Sequence, residues 1–175
     1  MGIGEMLVER GAIAFGEFTL TSGKKSSYYV NVKHAYTDPR VLDAIAEAMV
    51  PYVHAEKIAG VALGAIPILV AVSLKTMRPF VMLRKEERSH GTGSSIEGAI
   101  RQGETVDIIE DVTTTGGSVM FAANALRSAG AIVQRVISVV DRGEGAAELL
   151  NSEGIELKAL VSSAELLRLR RGKSL

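Results

Sequence analysis

Between residues 57 and 140 the chain alternates short apolar, β-branched runs with stretches of helical periodicity. The runs cover 57–61, 79–83, 105–110 and 132–140, and their length and content suit buried strands. Helical spacing marks 67–75 and 118–129, where Val119, Ala122, Ala123 and Leu126 recur on one face. Strand, helix, strand in repetition predicts a central parallel sheet flanked by helices on both faces. Ligands of such sheets sit beyond the carboxyl ends of the strands. The loops expected there are 62–67, 84–98 and 110–118, with Asp141 and Arg142 joining them. Upstream the pattern predicts a helix at 2–10, a strand within 12–20, a strand at 28–32 and a helix from Asp38-Pro39 to about residue 53. Downstream it predicts a helix at 145–151, a strand at 155–160 and a basic helix at 163–170.

The corner after the third run carries the most chemistry. Residues 106–118 read Val-Asp-Ile-Ile-Glu-Asp-Val-Thr-Thr-Thr-Gly-Gly-Ser. Thr113, Thr114, Thr115 and Ser118 supply hydroxyls, and Gly116 and Gly117 let the backbone approach a ligand closely. The N–H groups that open the following helix point at whatever sits there, and the helix dipole favours an anion. Glu110 and Asp111, just before Val112, would repel a phosphate unless they face something else, such as sugar hydroxyls or a metal ion. The combination asks for a ribose phosphate. A Walker A loop is excluded because no lysine lies in the turn, and a dinucleotide fingerprint because the acids precede the glycines. An ordinary corner with a threonine N-cap would explain the turn, but neither the acids nor the three threonines.

Composition narrows the remaining classes. The 175 residues include 20 Lys and Arg against 20 Asp and Glu, so whole-molecule charge gives no reason to expect nucleic acid or an anionic membrane as partner. The chain has no cysteine, which removes disulfides and thiolate metal sites, and its 3 histidines show no paired ligand spacing. No apolar run approaches membrane-spanning length and the first residues lack a signal-peptide layout, so a cytoplasmic protein is expected. His34 and His54 have no supporting neighbours and read as surface or packing residues.

Residues 84–98 are polar and glycine-bearing, with Arg84, Lys85, Arg88 and His90 ahead of Gly91 and Gly93. Such groups suit a loop that closes over a polyanion. A solvated loop in which Glu86 and Glu87 balance two of the charges explains the composition equally well. Arg142 offers a fork for a carboxylate, or a partner for Asp141 or Glu144. The residues alone therefore reach a ribose-phosphate ligand, cations over a second anion, and an arginine for a carboxylate.

Residues 106–118 resemble the phosphoribosyl-pyrophosphate (PRPP) signature of the type I phosphoribosyltransferases. The Arg-Lys-Glu-x-x-x-His-Gly order from Arg84 is similar to the catalytic loop of the orotate phosphoribosyltransferases, as is the 16–29 stretch to their hood. The resemblance implies the type I phosphoribosyltransferase fold as a single domain over 1–175. Its core would span about 36–145, with a hood from about 1–35 plus C-terminal residues. It implies transfer of the phosphoribosyl group from PRPP to orotate, giving orotidine 5′-monophosphate and pyrophosphate, in pyrimidine biosynthesis. Magnesium (Mg2+) would be held mainly by substrate and water.

By position, PRPP would be contacted by Arg84, Lys85, Arg88, His90, Glu110, Asp111, Val112, Thr113, Thr114, Thr115, Gly116, Gly117 and Ser118. Arg88, Glu110 and Asp111 are the expected catalytic residues, and Thr114, Arg142, Tyr29 and Val30 the expected orotate contacts. Core packing is the expectation for the tyrosine rings. The 84–98 loop would be shared across a homodimer. Three positions depart from the family or some of its members: Arg88 and Thr21 stand where lysines are usual, and Gly64 replaces a lysine of some relatives. Lys24 or Lys25 would stand in for the cation missing at Thr21. The alternatives are a phosphoribosyltransferase for another base and a non-catalytic PRPP-binding regulator.

Overall fold

Side chains on alternating strand positions divide between two cores, one on each face of a six-stranded sheet. In the computed structural model, which describes residues 1–19, 25–84 and 95–172, the strand order is β5-β4-β3-β6-β7-β8. These strands are β3 (Lys57–Val61), β4 (Phe80–Leu83), β5 (Ile96–Glu97), β6 (Thr105–Thr113), β7 (Ile132–Asp141) and β8 (Glu156–Ser162). All neighbours run parallel except β4 and β5. Ile58, Ile109 and Ile137 point to one core, and Ala59, Ile108 and Val136 to the other. Burial on both faces is why these strands read as continuous apolar runs.

Helices α1 (Ile3–Glu9), α3 (Pro39–Met49), α4 (Ile66–Thr76) and α7 (Ser163–Gly172) cover the first face. Helices α5 (Gly117–Ser128) and α6 (Ala146–Ser152) cover the second. Asp38 caps α3 by accepting a hydrogen bond from the Arg40 N–H at 2.9 Å, with Pro39 at the first helical position, as the sequence predicts. A separate antiparallel ribbon pairs β1 (Ile13–Thr19) with β2 (Lys25–Val30). No helix among the described residues is long and apolar enough to cross a membrane.

Four expectations change. The strand expected at 105–110 runs on to Thr113, because β7 keeps pairing with it as far as Thr113 opposite Asp141. Glu110 and Asp111 therefore sit on the strand itself rather than in a loop. The strand expected at 28–32 begins at Lys25 and ends at Val30, and Val32–Ala35 forms the one-turn helix α2. Asn31 ends the strand by accepting from the His34 N–H at 3.4 Å. The 84–98 segment contributes the short strand β5, whose two paired residues are too few to leave a periodicity. Finally, β8 extends the central sheet past residue 145, where the sequence placed the end of the core. The helix that follows it packs against α1.

Candidate active site

The carboxyl ends of β3, β4, β6 and β7 lie at one rim of the sheet, since those strands are parallel. At the end of β6 the chain turns sharply. Gly116 adopts φ +86°, the left-handed region that glycine enters at little cost, and occupies the N-cap of α5 in place of a threonine. A Cβ there would meet Leu149 and Ala146 of α6 at 3.3 and 3.5 Å, so α6 backs the turn. Glu110 and residues 112–119 line a cavity of about 230 Å³ in front of the helix. Its walls are the Thr114, Thr115 and Ser118 side chains and the opening turn of α5, an arrangement suited to a phosphate. The Thr113 hydroxyl is buried and lies 3.1 Å from Asp141 Oδ1 and 3.4 Å from the Val140 carbonyl oxygen, so it ties β6 to β7.

Glu110 is buried, and Oε1 accepts from the Asp111 N–H at 3.0 Å. Burial, and then the Asp111 carboxylate beside it, push its pKa well above the ordinary 4.5. A raised carboxyl pKa costs the fold stability as pH climbs above 4.5, because the unfolded chain ionises first. Glu110→Gln is therefore expected to raise the melting temperature at about pH 8 and not at about pH 4. Thermal unfolding at both values checks this; an equal change at both would disprove the titration.

Asp111 has found two partners. Oδ1 accepts from the Val112 N–H at 2.9 Å, and Oδ2 lies 2.6 Å from Lys33 Nζ. Lys33 sits on α2, where nothing in the sequence singles it out. It is separated from Asp111 by 78 residues, and only the fold brings the two together. Tyr36, one helical turn on, donates its hydroxyl to the Gly64 carbonyl at 2.8 Å. Burial first, and then Asp111, raise the Tyr36 pKa, so the phenol stays a donor.

Arg142 follows β7, and its N–H donates to the Thr113 carbonyl at 2.9 Å. Its side chain is buried between Glu144, whose Oε1 is 2.7 Å from Nε, and the Tyr28 ring, whose centroid is 4.9 Å from Cζ. The Glu144 contact is close in distance, but Nε makes no well-angled hydrogen bond. It is a charge contact that holds the guanidinium in place against Glu144 and the Tyr28 ring. The Tyr28 hydroxyl reaches Ser163 Oγ at 3.4 Å, and Ser163 donates to the Arg142 carbonyl at 3.1 Å. The ribbon is thereby joined to the Arg142 corner. Tyr28 fits the expectation of packing, but Tyr29 does not: it is 41% exposed and stacks on Phe18 at 5.6 Å. Val30 is buried opposite Ile13.

Arg84 pairs with Glu97 at the mouth of the β4–β5 hairpin. Lys85, Arg88 and His90, together with Thr21 and Lys24, lie outside the described residues. Lys25 is exposed in β2, paired with Thr19.

A family model described as phosphoribosyl transferase domain matches residues 32–157. The orotate phosphoribosyltransferase of Picrophilus torridus is 53% identical over 162 residues, covering 93% of this chain and 98% of that protein. The crystal structure of orotate phosphoribosyltransferase from Aeropyrum pernix matches with a TM-score of 0.86 at 32% identity, over 95% of this chain and 96% of that one. The Mycobacterium tuberculosis orotate phosphoribosyltransferase in complex with PRPP matches with a TM-score of 0.76 at 29% identity, over 94% and 96% of the two chains. With a cavity at the start of α5 behind paired acids on β6, and with similarity running almost end to end, the chain belongs to the phosphoribosyltransferase family, among its orotate phosphoribosyltransferases.

Proposed function

We infer that the chain transfers the 5-phosphoribosyl group from PRPP to orotate, giving orotidine 5′-monophosphate and pyrophosphate. The observation that carries this reading is the juxtaposition at the end of β6. A cavity of about 230 Å³ fronts a helix N-terminus, and two carboxyl groups stand immediately before it. The cavity takes the 5′-phosphate through the backbone of 112–118 and the Thr114, Thr115 and Ser118 hydroxyls. Glu110 and Asp111 face the ribose hydroxyls, and their negative charge favours the positive charge that builds at the anomeric carbon as pyrophosphate departs.

Arg142 supports orotate as the acceptor, because its guanidinium is held in place at the end of β7 by Glu144 and Tyr28, and a guanidinium fork suits a carboxylate. Thr114 and the backbone at Tyr29 and Val30 complete the base side of this reading. β4 ends at the same rim, just before residues 85–94. In this reading that segment's Lys85, Arg88 and His90 close over the pyrophosphate, with Arg84 at its base, from the partner subunit of a cytoplasmic homodimer.

Magnesium belongs to the same reading. The ion keeps most of its water and is bound by one or two carboxylates with substrate oxygens. The Asp111 oxygens are already engaged by Lys33 and the Val112 N–H, so the strand offers no preformed cage and suits an ion that arrives on PRPP. When bound, it neutralises charge on the leaving pyrophosphate.

Mixing the protein with orotate, PRPP and magnesium is expected to consume the ultraviolet absorbance of orotate. No change at any protein concentration would sink the assignment, and preference for adenine or hypoxanthine over orotate would redirect it to a purine acceptor.

A further inference from the structure

Three separate elements meet at Asp111, which is not among the residues lining the phosphate cavity. They are β6 itself, the turn after β3 that contains Gly64, and helix α2 with Lys33 and Tyr36. Gly64 is in tight contact there: a Cβ would lie 2.5 Å from Asp111 Oδ2 and 2.8 Å from Lys33 Cε. The turn can therefore carry no side chain of its own at that point while the Lys33–Asp111 pair is present. The lysine stem occupies the space instead, and its ammonium is the cation delivered to the turn.

The Lys33 side chain is 52% exposed, against 8% for Asp111. A half-exposed ion pair contributes little to stability, typically ~0–1 kcal/mol. The pair is thus poorly explained as a fold-stabilising device. A binding role explains it better. On the functional reading above, Asp111 would lie beside the ribose, with the 5′-phosphate cavity after it at the end of β6. The pyrophosphate, attached at the opposite end of the sugar ring, would leave away from that cavity, toward Gly64 and Lys33. A polyanion arriving next to Glu110 and Asp111 needs a compensating cation within contact distance. Burial lowers the Lys33 pKa, but the Asp111 hydrogen bond and charge outweigh it and the net shift is upward. The group is a cation at neutral pH and not a base.

Resting on the functional reading above, we propose that Lys33 is a PRPP-binding residue: it holds the Asp111 carboxylate in the free protein and contacts the pyrophosphate group over Gly64 in the complex. The exchange conserves charge pairing. Asp111 passes from the ammonium to the ribose hydroxyls, and the ammonium passes from the carboxylate to the pyrophosphate oxygens.

Lys33→Met is expected to raise both the PRPP KM and the inhibition constant of inorganic pyrophosphate about tenfold, the usual cost of one charge-assisted contact. The orotate KM should stay within about twofold, since uniform binding to one substrate is what is lost. Lys33→Arg, which keeps the charge, should recover most of the pyrophosphate affinity. Unchanged pyrophosphate inhibition in Lys33→Met, or equal losses in Lys33→Met and Lys33→Arg, would overturn the proposal. A second measurement uses the wild-type chain. Lys33 should react with an amine-modifying reagent more slowly when pyrophosphate and magnesium are present, read by peptide mass spectrometry. The absence of any protection would also overturn it. That arm needs no turnover, so it decides on Lys33 even if the wild-type chain fails to consume orotate, the result that would sink the functional reading.

Discussion

Asp111→Asn is expected to lower kcat by about 10²–10³-fold, the range seen when one preorganised electrostatic group is removed from a reacting centre. The amide keeps the size of the side chain, and its oxygen can still accept from the Val112 N–H. What it would lose, on the proposed reading, is the negative charge that stabilises the positive anomeric carbon in the transition state. In the free protein, Lys33 would lose the partner it holds at 2.6 Å and face a neutral amide. The released ammonium would then be available to PRPP, so the PRPP KM should fall or stay level while kcat drops. Loss of kcat without loss of ground-state affinity marks an interaction made in the transition state. Steady-state kinetics over a range of PRPP decides it. A kcat within about threefold of wild type would remove Asp111 from the chemistry.

The largest expected effect on stability lies at the opposite rim of the sheet, at the amino ends of β3 and β6. Lys57 opens β3, is buried, and donates from Nζ to Glu104 Oε2 at 2.8 Å and to the Ala99 carbonyl at 2.5 Å. Glu104 is buried too and also accepts from Arg101, through the backbone N–H at 3.0 Å and the guanidinium at 3.0 Å. Glu104→Ala would leave the Lys57 ammonium buried without its counter-charge, a change that costs about 3–5 kcal/mol. Denaturant unfolding should show a lower midpoint at unchanged slope. The same cluster predicts a pH dependence. The Lys57 hydrogen bond, with help from Arg101, lowers the Glu104 pKa from 4.5 to about 2. A lowered carboxyl pKa stabilises the fold above the unfolded value, and that contribution is lost as pH falls. The wild-type melting temperature should therefore drop between pH 4.5 and about 2, and Glu104→Gln should flatten that slope. An unaltered slope in the variant would assign the acid sensitivity to other carboxyls.

The parts of the fold that were legible in the sequence are those governed by local periodicity. β3 and β7 carry runs of apolar residues because both faces are covered, and α5 shows its buried stripe at Val119, Ala122, Ala123 and Leu126. The phosphate turn was legible for a different reason: a contiguous segment holds the acids, the hydroxyls, the glycines and the helix start. Lys33 was illegible because its role depends on a contact across 78 residues. Lys57 and Glu104 pair across 47 residues, and each looks like an ordinary surface charge in one dimension. β5 escaped notice because an antiparallel edge of two residues creates no pattern. The true end of β6 was set by its pairing with β7, a tertiary fact that strand propensity does not contain.

The division between ribbon and sheet has a consequence for how the site opens. β6 is paired on both sides within six strands, whereas among the described residues β1 and β2 pair only with each other, with an irregularity between Phe15 and Phe18. Amide protons near Glu110 should exchange with solvent only on global unfolding, while those of the ribbon exchange through local opening at a much smaller free energy. On the proposed reading, the sugar-phosphate grip would then lie among the slowest-exchanging amides, and the Tyr29–Val30 side of the base site among the faster ones. On the proposed reading, such a chain would admit or release the acceptor base by local opening of the ribbon while the phosphate stays held.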